Sequence, residues 1–266
     1  MMKNRVKEWL EGGTVDLFLG YKMNQGHPLP HCFTLEEIKD VDQMVVSDTR
    51  YSLEKIATHL SSRDPELKIG LLARDCNQRA VNILVVWHQL NPENIKSLNI
   101  NCCPSELKSH ADCSYMTAEP SSFYKQKVGI DNNLNTDIVD SFTDTEKTVR
   151  WMYEFQKCIK CYGCRNICPV CFCAECSLEH KDLVGPGNLP PQIPIFHLIR
   201  AAHMAGRCID CGLCEDACPM DIPLRLLYRK VNKIVKDVFD YSTGESSEQP
   251  PFSVLGDKVT LTPKPM

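Results

Sequence analysis

The spacing of apolar residues changes along the chain, and the expected elements change with it. Thr14–Leu19 and Gln43–Ser47 are short β-prone runs, and Lys68–Ala73 (KIGLLA) reads as a buried strand because its apolar positions are nearly continuous. Between them Ser52–Leu60 predicts a helix, with Asp48 or Ser52 available to cap it. Ala80, Ile83, Leu84 and Trp87 recur at three- and four-residue intervals, so a second helix is expected from Cys76 to about Leu90. Asn94–Ile100 then gives another strand, which runs into Asn101-Cys102-Cys103-Pro104. Strands that alternate with helices predict an α/β domain with a mostly parallel sheet. Ligands on such sheets sit beyond the C-terminal ends of the strands. Here those ends carry Arg74-Asp75-Cys76 and Cys102-Cys103.

Residues 104–145 are polar without a period and read as a linker or a long covering loop. From Glu146 the pattern turns helical, and Trp151, Met152 and Phe155 form an apolar stripe that leads into Cys158. A Pro/Gly-rich turn region (VGPGNLPPQIP) precedes a helix expected over Phe196–Ala205. Leu227, Val231, Ile234, Val235 and Val238 predict the apolar face of a last helix, Leu224–Phe239. Arg225, Arg229, Lys230, Lys233 and Lys236 on its remaining surface read as a solvated face, or as a docking surface for an acidic partner. The tail from Asp240 is rich in Pro, Ser and Glu and shows no periodicity, as in a disordered segment or an arm on a partner.

Composition adds the chemistry. The chain has sixteen cysteines among 266 residues. Cys158, Cys161, Cys164 and Cys168 precede Pro169, and Cys208, Cys211, Cys214 and Cys218 precede Pro219. Both runs spell Cys-x-x-Cys-x-x-Cys-x-x-x-Cys-Pro, the spacing that holds 4Fe–4S clusters in two-cluster ferredoxins, where the fourth cysteine crosses to the other cluster. The expected ligand sets are therefore Cys158, Cys161, Cys164 and Cys218 for one cluster, and Cys208, Cys211, Cys214 and Cys168 for the other. Zinc is the structural alternative, but it normally takes two Cys-x-x-Cys pairs set a dozen or more residues apart. Flanking Lys157, Lys160, Arg165 and Arg207 offset the negative charge of such clusters.

Of the other cysteines, Cys32 reads as a buried reduced thiol. Cys76, Cys102, Cys103, Cys113, Cys171, Cys173 and Cys176 are candidates for a third metal site at the domain junction, another iron–sulfur cluster or zinc. Cys102 and Cys103 are not expected to bind together, because adjacent side chains on an extended strand point apart. His197 and His203 read as structural, and no residue stands out as a general acid or base. Net charge is −4 without a basic block, which excludes an electrostatic nucleic-acid footprint. No stretch approaches the roughly 20 apolar residues of a membrane span. The opening MMKNRVKEWLEGG holds no apolar run of signal-peptide length, so the expected place is the cytoplasm, or export as the passenger of a signal-bearing partner.

Two stretches carry a family resemblance. RCIDCGLCEDACPMDIPL, with FHLIRAAHMAGR before it, resembles the α-helical dicluster domains of heterodisulfide-reductase-like and succinate-dehydrogenase-like iron–sulfur subunits. KIGLLARDCNQRAVNILVVWHQLNPENIKSLNINC resembles the beta subunits of deazaflavin-dependent hydrogenases and formate dehydrogenases. In that family a strand runs into a Pro-Cys turn, and the next strand ends at another cysteine. Here Arg74-Asp75-Cys76 occupies the turn, without the proline and with Cys76 kept. The resemblance implies that the turn cysteine ligates a cluster.

The pattern along the chain gives a three-part organisation. An α/β domain spans 1–145, an α-helical dicluster 4Fe–4S ferredoxin domain spans 146–240, and a polar tail spans 241–266. The resemblance implies that the chain works beside other redox subunits and passes electrons between a catalytic subunit (formate dehydrogenase, hydrogenase or heterodisulfide reductase) and a carrier, often through bound FAD. This chain is shorter than the larger members, and no Gly-x-Gly-x-x-Gly marks a dinucleotide site. Two function classes follow: an iron–sulfur electron-transfer subunit that is not catalytic alone, or a flavin-binding beta subunit that itself exchanges electrons with a soluble carrier.

Overall fold

The structure, a computed structural model, describes residues 2–46, 50–100, 136–180, 182 and 194–251, leaving out the side chains of 136–138. The described chain divides into two compact units. The first takes residues 2–100 together with Cys168–Phe172 and Gly244–Gln249, and the second takes the remainder.

The first unit is a mixed sheet with helices. Strands β1 (Leu17–Asn24) and β2 (His27–Thr34) form an antiparallel hairpin in register from Leu17↔Thr34 to Asn24↔His27. Gln25 and Gly26 close it, both at positive φ (49° and 83°), the turn whose twist matches that of the strands. On its other side β1 pairs in parallel with β4 (Ile69–Ala73), and β4 pairs in parallel with β5 (Ile95–Asn99). A two-residue strand β3 (Met44–Val45) adds antiparallel to β1 after a 3-10 turn, Ile38–Gln43. The order is β2-β1-β4-β5, with β3 beside β1.

The expected parallel core is present, but half of the strand pairings are antiparallel, so the sheet is not mostly parallel. β2 escapes a sequence reading because it carries Pro28 and Pro30, which cannot donate to a ladder. Positions two apart turn their backbone groups the same way, so both missing donors can fall on the side of β2 that pairs with no strand among the described residues. The run expected at Thr14–Leu19 begins instead at Leu17 and continues to Asn24.

Helix α1 (Met2–Glu11) lies against β1 and the 3-10 turn, and α2 (Leu53–Arg63) and α3 (Asp75–Val86) pack on β4. Every residue of β4 is buried, as expected for a strand covered on both faces. Phe18, Leu19, Phe33, Leu53, Ile69 and Leu71 form the centre of a single apolar core. α3 ends short of Leu90, where His88 turns to φ 55°. Ser52 stands at the N-cap of α2, yet its hydroxyl makes no capping bond.

A polar group is sealed beside this core. Glu54 is 1% exposed and accepts a hydrogen bond from the Asn77 amide, whose oxygen in turn accepts from the Arg74 N–H at 2.8 Å. Burial pushes the Glu54 carboxyl up to about 7, against the opposing pull of the Asn77 bond and the Arg74 charge.

The second unit is helical, with no strand among its described residues. It contains α4 (Thr136–Ser141), α5 (Asp144–Gln156), α6 (Gly163–Asn166), α7 (Ile195–Met204), α8 (Leu213–Asp216) and α9 (Leu224–Phe239). The end of the stretch read as irregular is thus helical, and the rest of it lies outside the described residues. Thr143 and Glu146 form a reciprocal capping box that starts α5. α9 packs on α7 and α4, and the two four-residue helices α6 and α8 pack on each other.

The buried side of α9 differs from the expected apolar face. Leu224, Arg225, Leu226, Tyr228 and Val235 are buried, whereas Ile234 is exposed. Its basic residues are mostly paired within the chain: Arg225 and Arg229 to Asp210, Lys230 to Asp140, and Lys233 to Asp237.

Candidate metal centre

The two cysteine runs fold as one backbone repeat offset by 50 positions. α5 delivers Cys158, whose N–H donates to the Phe155 carbonyl at 3.1 Å. After it the chain passes Lys160 (φ 55°) and Tyr162 (φ 58°), both left-handed, and enters α6. After Cys208 the chain passes Asp210 (φ 54°) and Gly212 (φ 80°) and enters α8. The turns that follow match as well. Cys171 N–H donates to the Cys168 carbonyl at 3.3 Å, and Asp221 N–H to that of Cys218 at 3.2 Å. Three non-glycine residues at positive φ are costly in isolation and concentrate where a loop must wrap a ligand.

That backbone turns its amides toward sulfur. Lys160 N–H donates to Cys158 Sγ at 3.4 Å and Gly163 N–H to Cys161 Sγ at 3.5 Å. Met220 and Ile222 N–H groups donate to the Cys218 sulfur. Such converging amides form a nest for an anionic group. Gly163 is required by close approach: a Cβ there would stand 2.9 Å from the Ala217 carbonyl oxygen, between the two repeats.

Within the second unit, Cys158 lies close enough to Cys164, Cys218 and Cys161 for their charges to act on it. Its thiol is pushed up to about 11, first by burial and then by these neighbours. The structure therefore brings Cys218 of the second run to the first run's three cysteines. Cys208 and Cys214 are buried and Cys211 is half-buried. Cys168, also buried, belongs to the segment grouped with the first unit. Crowded thiols with sulfur-directed amides would be ill placed as ordinary core residues and fit a thiolate-bound cluster.

Charges around the second loop are fixed by geometry. Arg225 Nε donates to Asp210 Oδ1 at 2.6 Å and Arg229 Nε to Asp210 Oδ2 at 2.9 Å. Glu215 Oε1 accepts from Arg225 N–H at 3.0 Å, and burial raises its carboxyl to about 7. Asn232 donates to the Cys208 carbonyl at 2.7 Å.

Of the cysteines considered for a third site, Cys76 is half-buried in the first turn of α3. Cys171 and Cys176 are half-buried and Cys173 is exposed. The Arg207 guanidinium lies 3.9 Å from Cys173 Sγ, and Arg165 bonds to Cys176 as well as to Glu179. Cys102, Cys103 and Cys113 lie outside the described residues. Cys32 is half-buried on β2, and burial raises its thiol. In the first unit His31, Glu37 and Asp40 are close enough to share an ion, but the Lys22 ammonium already holds Asp40.

Sequence reasoning missed the polar side chains that support the loops. Arg200 is 3% exposed on α7 and donates to the Cys164 carbonyl at 2.7 Å. Tyr228 is 2% exposed, and its hydroxyl has no hydrogen-bond partner among the described residues. His197 stacks on Phe155 at 4.6 Å, and burial, with the Arg200 charge, lowers it to about 4. Arg225, Tyr228 and Asn232 share one side of α9 at three- and four-residue spacing, the signal that could have revealed them.

Comparisons with known proteins bear on the second cysteine run. A family described as "4Fe-4S binding domain" matches residues 202–223, which contain Cys208, Cys211, Cys214 and Cys218. "F420-dependent formate dehydrogenase subunit beta" of Methanocaldococcus jannaschii is 46% identical over 102 residues, 38% of this chain and 27% of that protein. "F420-dependent formate dehydrogenase 1 subunit beta" of Methanococcus maripaludis is 46% identical over 101 residues, 38% of this chain and 26% of that protein. The chain thus covers about a quarter of the length of these relatives. No described helix is long and apolar enough to cross a membrane. The chain is an iron–sulfur protein that carries a 4Fe–4S binding domain and is similar, over about 100 residues, to beta subunits of F420-dependent formate dehydrogenase.

Proposed function

We propose that the chain is an iron–sulfur electron-transfer subunit of a multisubunit oxidoreductase, of the formate dehydrogenase kind for which its relatives are named. It works beside other redox subunits, in the cytoplasm, and is not catalytic alone. The observation that carries this reading is the repeated cysteine loop with its sulfur-directed amides. Cys158, Cys161, Cys164 and Cys218 hold one 4Fe–4S cluster; Cys208, Cys211 and Cys214 hold the other, with Cys168 assigned by its spacing as the fourth ligand. Each cluster, when bound, takes up and releases single electrons. The protein's own part is to fix the sulfurs, aim amides at them and bury four of the eight cysteines.

In this reading 1–145 is the α/β domain, 146–240 the α-helical dicluster ferredoxin domain and 241–266 a polar tail. A third cluster or zinc draws on Cys76, one of Cys102 or Cys103, Cys113, and one of Cys171, Cys173 or Cys176. Anaerobic reconstitution is expected to give about eight iron atoms per chain from two cubanes, or more with a third cluster. Reduction is expected to give spin-coupled signals. Near-zero iron with stoichiometric zinc refutes it.

A second reading, with a soluble carrier as the electron partner, is favoured by the names of both relatives, each called F420-dependent. In it the chain also binds FAD and exchanges electrons with such a carrier. Flavin fluorescence released by acid from the purified protein distinguishes the two, since a pure relay releases none.

A further inference from the structure

Tyr228 is a large polar side chain sealed in the second unit with its hydroxyl unsatisfied among the described residues. A buried hydroxyl without a partner is disfavoured, so its retention needs a reason. The Arg200 guanidinium lies over its ring, 5.8 Å from the centroid, and also donates to the Cys164 carbonyl of the first cysteine run. One turn further along α9, Asn232 holds the Cys208 carbonyl of the second run. Tyr228 is therefore tied through neighbours to both cysteine loops. The charges of Cys214, Cys164 and Cys208 all act on its phenol, which places it near ligands of both runs.

We propose that Tyr228 and Arg200 form a buried polar bridge between the two cluster sites, with the Tyr228 O–H donating to cluster sulfur and the Arg200 cation offsetting the charge of both clusters. The inference rests on the two-cluster reading given above. Each cluster gains one electron on reduction and becomes more negative, while Tyr228 keeps its proton throughout. A donor to sulfur and a nearby cation both stabilise the more negative state, so both raise the reduction potential. The buried Arg200 is accordingly a positioning and charge-compensating residue rather than a catalytic one.

The test uses full-length reconstituted protein titrated with dithionite under potentiometric control, with EPR signals followed for each cluster. Iron and sulfide are measured first. Wild-type protein without two clusters overturns the function reading itself, and the bridge with it. Tyr228→Phe removes only the hydroxyl and is expected to keep the iron content. It should disfavour reduction of the cluster whose sulfur accepts the O–H by about tenfold, which is about 59 mV for a one-electron couple, and shift the other cluster less. Arg200→Gln, which keeps donors and loses the cation, should lower both potentials as well. Unchanged or raised potentials in Tyr228→Phe, with two clusters present, overturn the proposal. So does loss of iron, which would make Tyr228 only structural, or an Arg200→Gln shift confined to one cluster, which would show that the cation does not serve both. If Arg200→Gln fails to fold, Tyr228→Phe alone decides.

Discussion

Replacing Glu54 by glutamine makes the α/β unit insensitive to pH in a range where the native chain is not. Glu54 is 1% exposed, and burial raises its carboxyl from 4.5 to about 7 in spite of the Asn77 hydrogen bond and the Arg74 charge. Moving a carboxyl that far is worth about 3 kcal/mol. The sign follows from proton binding. Below pH 4.5 the group is protonated in both folded and unfolded chains, and its burial costs nothing extra. As pH rises, the unfolded chain ionises first while the folded one keeps its proton until about 7. Stability is therefore lost progressively between those limits and stays lost above them.

Glutamine keeps an acceptor for Asn77 and cannot ionise. The variant should match the wild type at pH 4.5 and exceed it by about 3 kcal/mol at pH 8. Hydrogen-exchange protection of the β4 and α3 amides, corrected for intrinsic exchange, reads this difference within the one unit. A difference independent of pH would refute the reasoning. A variant less stable at pH 8 would mean that the charge of Arg74, not burial, governs this carboxyl.

Two further outcomes follow from the loop geometry. Gly163→Ala places a Cβ 2.9 Å from the Ala217 carbonyl, a backbone atom that cannot swing aside. Thermal unfolding should show a loss of about 1–3 kcal/mol, and iron content should fall toward that of a single cluster. Asp210→Ala leaves Arg225, itself 8% exposed, without its carboxylate. The stability of the second unit should fall by about 3–5 kcal/mol in chemical unfolding, whereas a change below 1 kcal/mol would show that Arg225 finds another partner.

Much of the site was legible in the sequence because ligand spacing is a one-dimensional property. The eight cysteines of the two runs could be assigned to two clusters by spacing alone, and the charge of Cys218 reaches Cys158 together with those of Cys161 and Cys164. β4 and α9 were legible for a similar reason, since a continuous apolar run and a 3.6-residue period report local geometry. What escaped depends on partners distant in the chain. The face of α9 was read from its aliphatic residues, but burial there follows Arg225 and Tyr228, whose partners sit on the Asp210 loop and on α7. β2 escaped because its prolines argue against a strand unless one knows that it lies at an edge. Cys102, Cys103 and Cys113 are not joined to Cys76 by any period or spacing, and they fall outside the described residues.

The prolines of β2 bear on how the protein assembles. An outer strand with a full row of free amides invites another chain to extend the sheet, and soluble proteins commonly blunt that invitation. With Pro28 and Pro30 in place, the β2 rim lacks two of the donors that a visiting strand would need. A strand that meets this rim would find fewer backbone donors than an ordinary edge offers. A crowded cell, full of unpaired strands emerging from ribosomes, finds little there to grip.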